Sequence, residues 1–389
     1  MIHHVFNSTL VSGPETLVLP NLQGFEQPIE IVLLQEGRRA EGATTVANYA
    51  RGLGFTVHEI SVRGRVDMQA MFALRKLWQK SNPRLVHTHG PKASLYAMLA
   101  LKTSLVGNRP RLLTTHHGVR ANDQSMKLKF FETLYEKIVM PQCDLCLTVC
   151  NSDRELLIKR GISAKKIEVH LNGVDRKDFS PTERLDAASA ARSAWKNALG
   201  GIQLDGFLIG VVGRLSEEKQ HVRIIEGFAR LIAHQPNFKA RLLCFGSGPL
   251  EAQLKEVSER LGVSDLVHWM GYRRDVAVEM TGLDVLLSLS NAEGLPINLI
   301  EAGWAGTPVV ATGVDGVRDL IEPNQNGILL DTTATNEQIV EALMRVLGDK
   351  KFSTELSRSF QVRVRQKFSK QAWRDRLEEV YERFVTRTP

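Results

Sequence analysis

The sequence predicts an α/β protein made of two consecutive domains, each built on a parallel sheet. Three observations carry that expectation. Short apolar runs such as EIVLL, TVHEI, FLIGVVG and ARLLCFG alternate with longer stretches of helical periodicity, the pattern of repeated β–α units. A chain of 389 residues is long for one domain and comfortable for two. Between the halves lies FSPTERLDAASAARSAWKNALGGIQLDG, rich in Ala, Ser and charge and broken by Gly-Gly, which reads as an interdomain connection with a short helix. The expected division is a first domain over 1–180, a linker over 181–200 and a second domain over 201–367.

In the first half, HHVFN is a short strand, followed by a turn carrying Gly13 and a brief helix beginning near Pro14. Glycine lets another group approach the backbone closely because it has no Cβ; a plain turn is the alternative at Gly13. EIVLL and TVHEI are the next strands, each followed by a helix. PRLVHTHGPKA then gives a strand ending in histidines. Ligands of open parallel sheets gather beyond the carboxyl ends of strands, so His89 and Lys92 are candidate acceptor-side residues, with locally bonded loop residues as the alternative. RLLTTHHGVRAND is a further strand ending in histidine, and MKLKFFETLYEKIVM spaces its apolar residues helically. A basic amphipathic helix can lie on a membrane; packing its apolar face on the core is the favoured reading. Cys143 and Cys146 have C-x2-C spacing but lie in a buried-strand pattern without a second pair or histidine partner, which excludes a zinc site there. Ser152 and Glu155 fit a capping box for the helix NSDRELLIKRG.

Composition excludes several classes. The apolar and charged fractions, 43% and 24%, are those of an ordinary globular protein. No run of about eighteen apolar residues suggests a membrane span, and the first residues carry no secretion-signal pattern. Four cysteines form no disulfide framework in a chain of this size, so a cytoplasmic, reduced setting is expected. The net charge of +7 is uneven, with 24 Lys and Arg against 16 Asp and Glu in residues 1–180 and 26 against 27 thereafter. The basic first half favours an anionic lipid surface or a phosphorylated acceptor, with plain solubility an equal alternative. A pI near 9.2 is the one hint of nucleic acid, and no interleaving of aromatic and basic residues supports it.

The stretch 286–312, LLSLSNAEGLPINLIEAGWAGTPVVAT, is the densest in chemistry. It reads as strand, loop, helix and strand, with Pro296 suited to the first helical position. Glu293 in the loop and Glu301 in the helix are separated by seven residues. With a rise of ~1.5 Å per residue, Glu301 sits about 7 Å below the helix start, and its side chain tilts back toward the N-terminus. Both carboxylates can therefore face one ligand, beside an anion-binding helix terminus. Carboxylates accept from sugar hydroxyls while a helix terminus takes phosphate, so a sugar nucleotide satisfies both.

E-G-L-P followed by E-A, set between strands in this way, resembles the donor signature of the retaining GT-B glycosyltransferases, specifically glycosyltransferase family 4. The resemblance runs from about residue 1 to the C-terminus, dense over 207–330 and sparse before 85. It implies two Rossmann-like domains facing a central cleft, with the last helix, 368–389, crossing back to the first domain. The first turn of the family holds a Gly-Gly pair; here it is Ser12-Gly13. Thr115, His116, His117 and Gly118 match the family's Thr-x-His segment, making His117 the counterpart of the histidine that contacts the transferred sugar. Arg214 and Lys219 match G-R-x4-K, with Gln220 where a glycine usually follows. Two cations near a helix start oppose its dipole unless an anion lies between them, and a pyrophosphate supplies one. Gly246-Ser247-Gly248 matches G-x-G-P-L, Tyr272 and Arg273 fall on the loop beside the base, and Gly303-Trp304 exchanges the usual order of a larger and a small residue.

The resemblance then implies donor binding by Gly13, Arg214, Lys219, Gly246, Tyr272, Arg273, Glu293, Gly294, Leu295, Pro296 and Glu301. Catalytic roles fall to His117, Arg214, Lys219 and Glu293, with Glu301 on the ribose. Charge growing on the departing phosphate is met by fixed cations and amide dipoles. The expected reaction moves a sugar, with retention, from a nucleoside diphosphate sugar (UDP before GDP) to a hydroxyl of a saccharide or lipid-linked acceptor in polysaccharide or glycoconjugate synthesis. No carboxylate cluster for Mg²⁺ is visible, so no metal or other cofactor is expected. The rivals are another GT-B enzyme, a phosphorylase or an epimerase, and a non-catalytic sugar-nucleotide-binding protein. The intact Arg214, Lys219, Glu293 and Glu301 argue against the last.

Overall fold

The computed structural model describes residues 1–8, 11, 13–36, 45–64, 67–102, 109–118, 132–235 and 237–385. The chain forms two compact units, one of residues 1–172 with 370–389 and one of residues 173–369.

The first unit is built on seven strands: β1 (Ile2–Phe6), β2 (Ile29–Glu36), β3 (Thr56–Val62), β4 (Leu85–His89), β5 (Arg111–His116), β6 (Leu145–Thr148) and β7 (Ile167–Val169). They pair in parallel in the order β3-β2-β1-β4-β5-β6-β7. A central parallel strand is covered on both faces, and accordingly every residue of β1 and of β4 is buried. Helix Met68–Ser81 begins on Asp67, whose carboxylate accepts from the Gln69 and Ala70 amides, and ends on Asn82 in the left-handed region at φ 45°. It buries Ala70, Met71, Leu74 and Trp78 on one face of the sheet. The opposite face carries Leu19, Leu22, Ile31, Leu33 and Leu113, and helix Lys370–Val385 closes it with Trp373, Leu377, Val380 and Tyr381.

The second unit holds β8 (Phe207–Val212), β9 (Ala240–Phe245), β10 (Val267–Gly271), β11 (Val285–Ser288), β12 (Val309–Thr312) and β13 (Ile328–Leu330), all parallel, in the order β10-β9-β8-β11-β12-β13. Helix His221–His234 buries Ile224, Ile225, Phe228 and Leu231, a spacing that places them on one stripe. Helix Asn336–Gly348 packs beside it and starts on a capping box of Thr335 and Gln338.

In both sheets the strand order reverses at one place, between β1 and β4 in the first and between β8 and β11 in the second. In open parallel sheets such a switch point, beyond the carboxyl ends of the two neighbouring strands, is where ligands gather. In the second unit the loops that follow these two strands contain Arg214 and Glu293.

Several sequence expectations are corrected. The stretch 181–200 is no free connection: it holds an 18-residue helix, Pro181–Ala198, that belongs to the second unit. Ser180 and Glu183 close a capping box at its start, and Trp195 is fully buried, its Nε1 donating to Glu279 at 2.6 Å. The polar composition had hidden one anchoring tryptophan. Ser152 makes no cap, because Cys150 occupies that position and Ser152 lies inside helix Asn151–Lys159. Lys127 and Lys129 of the suspected membrane helix lie outside the described residues. Its later part, from 132, packs Tyr135, Val139 and Met140 into the first unit's core. Among the described residues no helix is long and apolar enough to cross a membrane. Cys143 and Cys146 are buried free thiols that donate to the Val139 and Met140 carbonyls.

Candidate active site

At the reversal point of the second sheet, β8 runs out at Val212 and hands the chain to Gly213 and Arg214. Three backbone bonds hold this turn: the Gly213 amide to the Phe245 carbonyl at 3.0 Å, Leu215 to Ser247 at 3.1 Å, and Leu250 to Leu215 at 3.2 Å. The glycines of the opposing turn are needed for that closeness. A Cβ on Gly246 meets the Gly213 oxygen at 1.9 Å and one on Gly248 meets the Leu215 oxygen at 2.3 Å. The guanidinium of Arg214, thus positioned, is exposed and makes no ion pair among the described residues.

Lys219 ends a short 3-10 turn, Glu217–Lys219, and Gln220 follows in the left-handed region at φ 53° before helix His221–His234 begins. This is the position where the resemblance expects glycine, and the backbone has kept the conformation that glycine favours. A left-handed non-glycine residue costs roughly 1–2 kcal/mol, partly offset here by the Gln220 Nε2 bond to the Glu217 carbonyl at 2.8 Å. Gln220→Gly is therefore expected to raise unfolding stability by about 0.5 kcal/mol, read as a higher urea midpoint with an unchanged slope. A lower midpoint would show that the side-chain bond outweighs the strain.

The loop after β11 meets this segment directly. The Asn291 amide donates to the Glu218 carbonyl at 2.9 Å, and Asn298 Nδ2 donates to the Val212 carbonyl at 2.6 Å. Lys219 Nζ lies 2.5 Å from Glu293 Oε1, which also accepts from Ser290 Oγ at 2.7 Å. The Glu293 amide donates to Asp315 Oδ2 at 3.1 Å. Burial holds the Asp315 carboxyl above its ordinary range, opposed by that amide bond and reinforced by the Glu293 charge. Pro296 is the N-cap at ψ 118°, one residue ahead of its expected place, and helix Ile297–Ala305 has no side-chain cap. Gly294, Leu295 and Pro296 thus lead from the Glu293 loop into the start of helix Ile297–Ala305.

Glu301 is buried on this helix and paired with Arg176, whose Nε and Nη2 both bind Oε1, at 2.9 and 2.5 Å. Burial pushes its carboxyl upward and the Arg176 guanidinium pulls it back. Gly303, beside it, lies where a Cβ would meet Val364 Cγ1 at 2.5 Å, while Trp304 Nε1 donates to the Val174 carbonyl at 2.8 Å. The exchanged order of small and large residues therefore serves packing against helix Lys350–Lys367. Tyr272 is 77% exposed just past β10, and Arg273 Nε is 3.8 Å from Glu279.

Four contributors here escaped the sequence reading: Arg176, Ser290, Asn298 and Asp315. Ser290 and Asn298 lie within the recognised stretch and could have been found from it. Arg176 is 125 residues from Glu301, and no local spacing joins them.

In the first unit, the reversal point between β1 and β4 is lined by histidines. His89 ends β4 and His117 follows β5. His89 Nδ1 lies 3.1 Å from His117 Nε2, and its Nε2 lies 2.9 Å from His4 Nδ1. Lys92 turns to other partners, an ion pair with Glu36 and the Gly64 carbonyl at 3.1 Å. Gly13 opens helix Gly13–Asn21 with free space where a Cβ would stand. Among the described residues, His4, His87 and His89 are the one group whose ligand atoms come within 4.8 Å of one another in the manner of a metal site.

Comparison with known proteins agrees along most of the chain. Residues 197–382 match the family described as glycosyl transferases group 1, and residues 25–178 match glycosyltransferase family 4. A UDP-Gal:α-D-GlcNAc-diphosphoundecaprenol α-1,3-galactosyltransferase of Escherichia coli is 27% identical over 290 residues, 73% of this chain and 71% of that protein. A capsular polysaccharide biosynthesis glycosyltransferase, CapM of Staphylococcus aureus, is 24% identical over 82% of each chain. The crystal structure of Anabaena HepE in complex with UDP superposes with a TM-score of 0.79 at 18% identity, covering 98% of this chain and 99% of that one. With the first half matched by glycosyltransferase family 4, the second by glycosyl transferases group 1, and the whole chain following one known architecture, the protein belongs to the family 4 type of glycosyltransferases and has the GT-B fold.

Proposed function

We propose that this enzyme moves a glycosyl group from a UDP-sugar to a hydroxyl of a saccharide or lipid-linked acceptor in the synthesis of a polysaccharide or glycoconjugate, with retention of configuration and without a metal ion. One observation carries the donor reading. Glu293 and Glu301 are each tied through Oε1, to Lys219 and Ser290 in the first case and to Arg176 in the second, while each Oε2 has no partner among the described residues. Two carboxylates, fixed in place and each with one open oxygen, suit the hydroxyls of a sugar and a ribose.

Arg214 and Lys219 supply the positive field for the pyrophosphate. As the bond between the sugar and the β-phosphate breaks, negative charge builds on the leaving oxygen. A cation already anchored beside it, as Lys219 is by Glu293, lowers the barrier because it needs no reorganisation. The half-buried setting of Lys219 strengthens that field relative to water. The departing phosphate takes the acceptor proton, so the site needs no further carboxylate as base. The uridine preference is supported by the E. coli relative's name and by the UDP bound in HepE.

Thermal unfolding of the full chain with UDP, GDP, ADP and their glucose and galactose derivatives, all in EDTA, tests this reading. Binding to the folded state raises the midpoint by mass action, about 2.7 kcal/mol at a hundredfold excess over Kd. The expected result is a shift with uridine ligands, lost in Glu301→Ala. A panel flat both in EDTA and with Mg²⁺ in its place would overturn the donor assignment, and a shift seen with Mg²⁺ but not in EDTA would overturn metal independence.

A further inference from the structure

Five side-chain contacts in the first unit join end to end. Thr115 Oγ1 lies 2.7 Å from His87 Nε2, His87 Nδ1 lies 2.7 Å from the Tyr381 hydroxyl, and that hydroxyl lies 2.8 Å from His4 Nε2. His4 Nδ1 then reaches His89 Nε2 at 2.9 Å, and His89 Nδ1 reaches His117 Nε2 at 3.1 Å. The chain is buried along its length and becomes half-buried at His117. All six ring nitrogens of His4, His87 and His89 are engaged pairwise, so their lone pairs do not converge on a common point. The proximity of these three rings is that of a hydrogen-bonded line and not of a metal centre.

Proton counting gives this line a direction. Burial pushes every imidazole toward neutrality: His4 down to about 3, His117 to about 4, and His87 and His89 well below their ordinary range. A neutral imidazole carries one N–H, so it donates on one side and must accept on the other. A tyrosine hydroxyl between two ring nitrogens is likewise satisfied by giving one bond and taking one. The whole line therefore runs in a single sense. Its inner end chooses that sense, because among the described residues His87 Nε2 is the one partner of the buried Thr115 hydroxyl. Were His87 to donate to Thr115, the hydroxyl hydrogen would be left buried without an acceptor, at the usual cost of an unmade bond.

We infer that Thr115, His87, Tyr381, His4 and His89 form a polarised hydrogen-bond relay that fixes His117 as the Nδ1–H tautomer, so that His117 faces its ligand as a hydrogen-bond donor. Thr115 donates to His87 Nε2, His87 Nδ1–H to the Tyr381 oxygen, Tyr381 to His4 Nε2, His4 Nδ1–H to His89 Nε2, and His89 Nδ1–H to His117 Nε2. With its Nε2 occupied as an acceptor, the one proton of neutral His117 sits on Nδ1, which has no partner among the described residues. The inference rests on the proposed transferase function and on the resemblance that makes His117 the counterpart of the histidine contacting the transferred sugar. It adds that the contact is donation to a sugar oxygen and not removal of a proton. His87, Tyr381, His4 and His89 act as positioning residues through His117. Tyr381 gives helix Lys370–Val385 a part in setting the site, beyond its apolar packing.

The test is ¹⁵N-histidine NMR of the full chain, which separates protonated from bare ring nitrogens, with the His117 signals identified by their loss in His117→Asn. The wild type should show His117 protonated at Nδ1 alone. Tyr381→Phe keeps the ring and removes the link, and it should turn His117 into a mixture of both tautomers. Predominant protonation at Nε2 in the wild type would overturn the assigned direction, and an unchanged His117 in Tyr381→Phe would overturn the relay. If Tyr381→Phe does not fold, Thr115→Val serves in its place, expected to weaken the preference for one tautomer, and the wild-type spectrum decides the direction without any variant. The thermal response of the wild type to UDP is recorded on the same sample. Its absence removes the donor reading while the tautomer result stands, so the two fail separately.

Discussion

Lys219→Ala is expected to lower the transfer rate by about 10²–10³-fold, the usual cost of removing one preorganised group from a site of developing negative charge. Two effects combine. The leaving phosphate loses a cation, and Glu293, now held through Ser290 Oγ, turns an unneutralised carboxylate toward the same phosphate. The fold should be little affected, because this pair is half-buried and such ion pairs contribute modestly to stability. Lys219→Arg should restore part of the rate while failing to reproduce the compact 2.5 Å contact with Glu293. The measurement is the initial rate of UDP release at saturating donor and acceptor, with thermal unfolding as the control for folding. A rate for Lys219→Ala within threefold of the wild type would remove Lys219 from the catalytic account.

Gly246→Ala carries the largest expected effect on stability. The residue sits at φ 139°, a conformation open to glycine, and the added methyl would stand 1.9 Å from the Gly213 carbonyl oxygen. Neither contact can yield without moving the other, since both belong to backbone pinned by the Gly213–Phe245 and Gly246–Gly271 bonds. A loss of roughly 3 kcal/mol or more is expected, the sum of backbone strain and steric displacement, with a fall in the unfolding midpoint of on the order of 10 °C for a unit of this size. Ser247→Ala next to it is exposed and should change stability by less than about 0.5 kcal/mol. Equal midpoints for the two variants would refute the packing argument. Because Gly213 precedes Arg214, any Gly246→Ala protein that does fold should also bind UDP less tightly than Ser247→Ala.

Much of this molecule was legible in the order of its residues. The alternation of apolar runs and helical patterns gave the parallel α/β units, because burial on both faces of a strand and on one stripe of a helix leaves periodicities that no tertiary contact is needed to see. The stretch 286–312 disclosed its strand, loop, helix and strand, and with them the places of Glu293 in the loop and of Glu301 in the helix. Gln220 shows how far such reading goes: the sequence marks a replaced glycine, and the backbone retains the left-handed conformation at a cost set by local sterics.

What the tertiary structure decided was how each group is held. Arg176 meets Glu301 across 125 residues, and Asp315 meets the Glu293 amide across 22, through contacts that depend on where whole elements pack. The connection expected over 181–200 became a helix of the second unit because one buried tryptophan, Trp195, outweighs its polar neighbours. His89, taken from the sequence as an acceptor-side residue, has both ring nitrogens committed to other histidines. The relay through His4, His87 and Tyr381 joins residues as far as 377 positions apart. Periodicity and motif spacing record local backbone preference and burial. Which donor finds which acceptor is settled when the sheet and the last helix bring those side chains together.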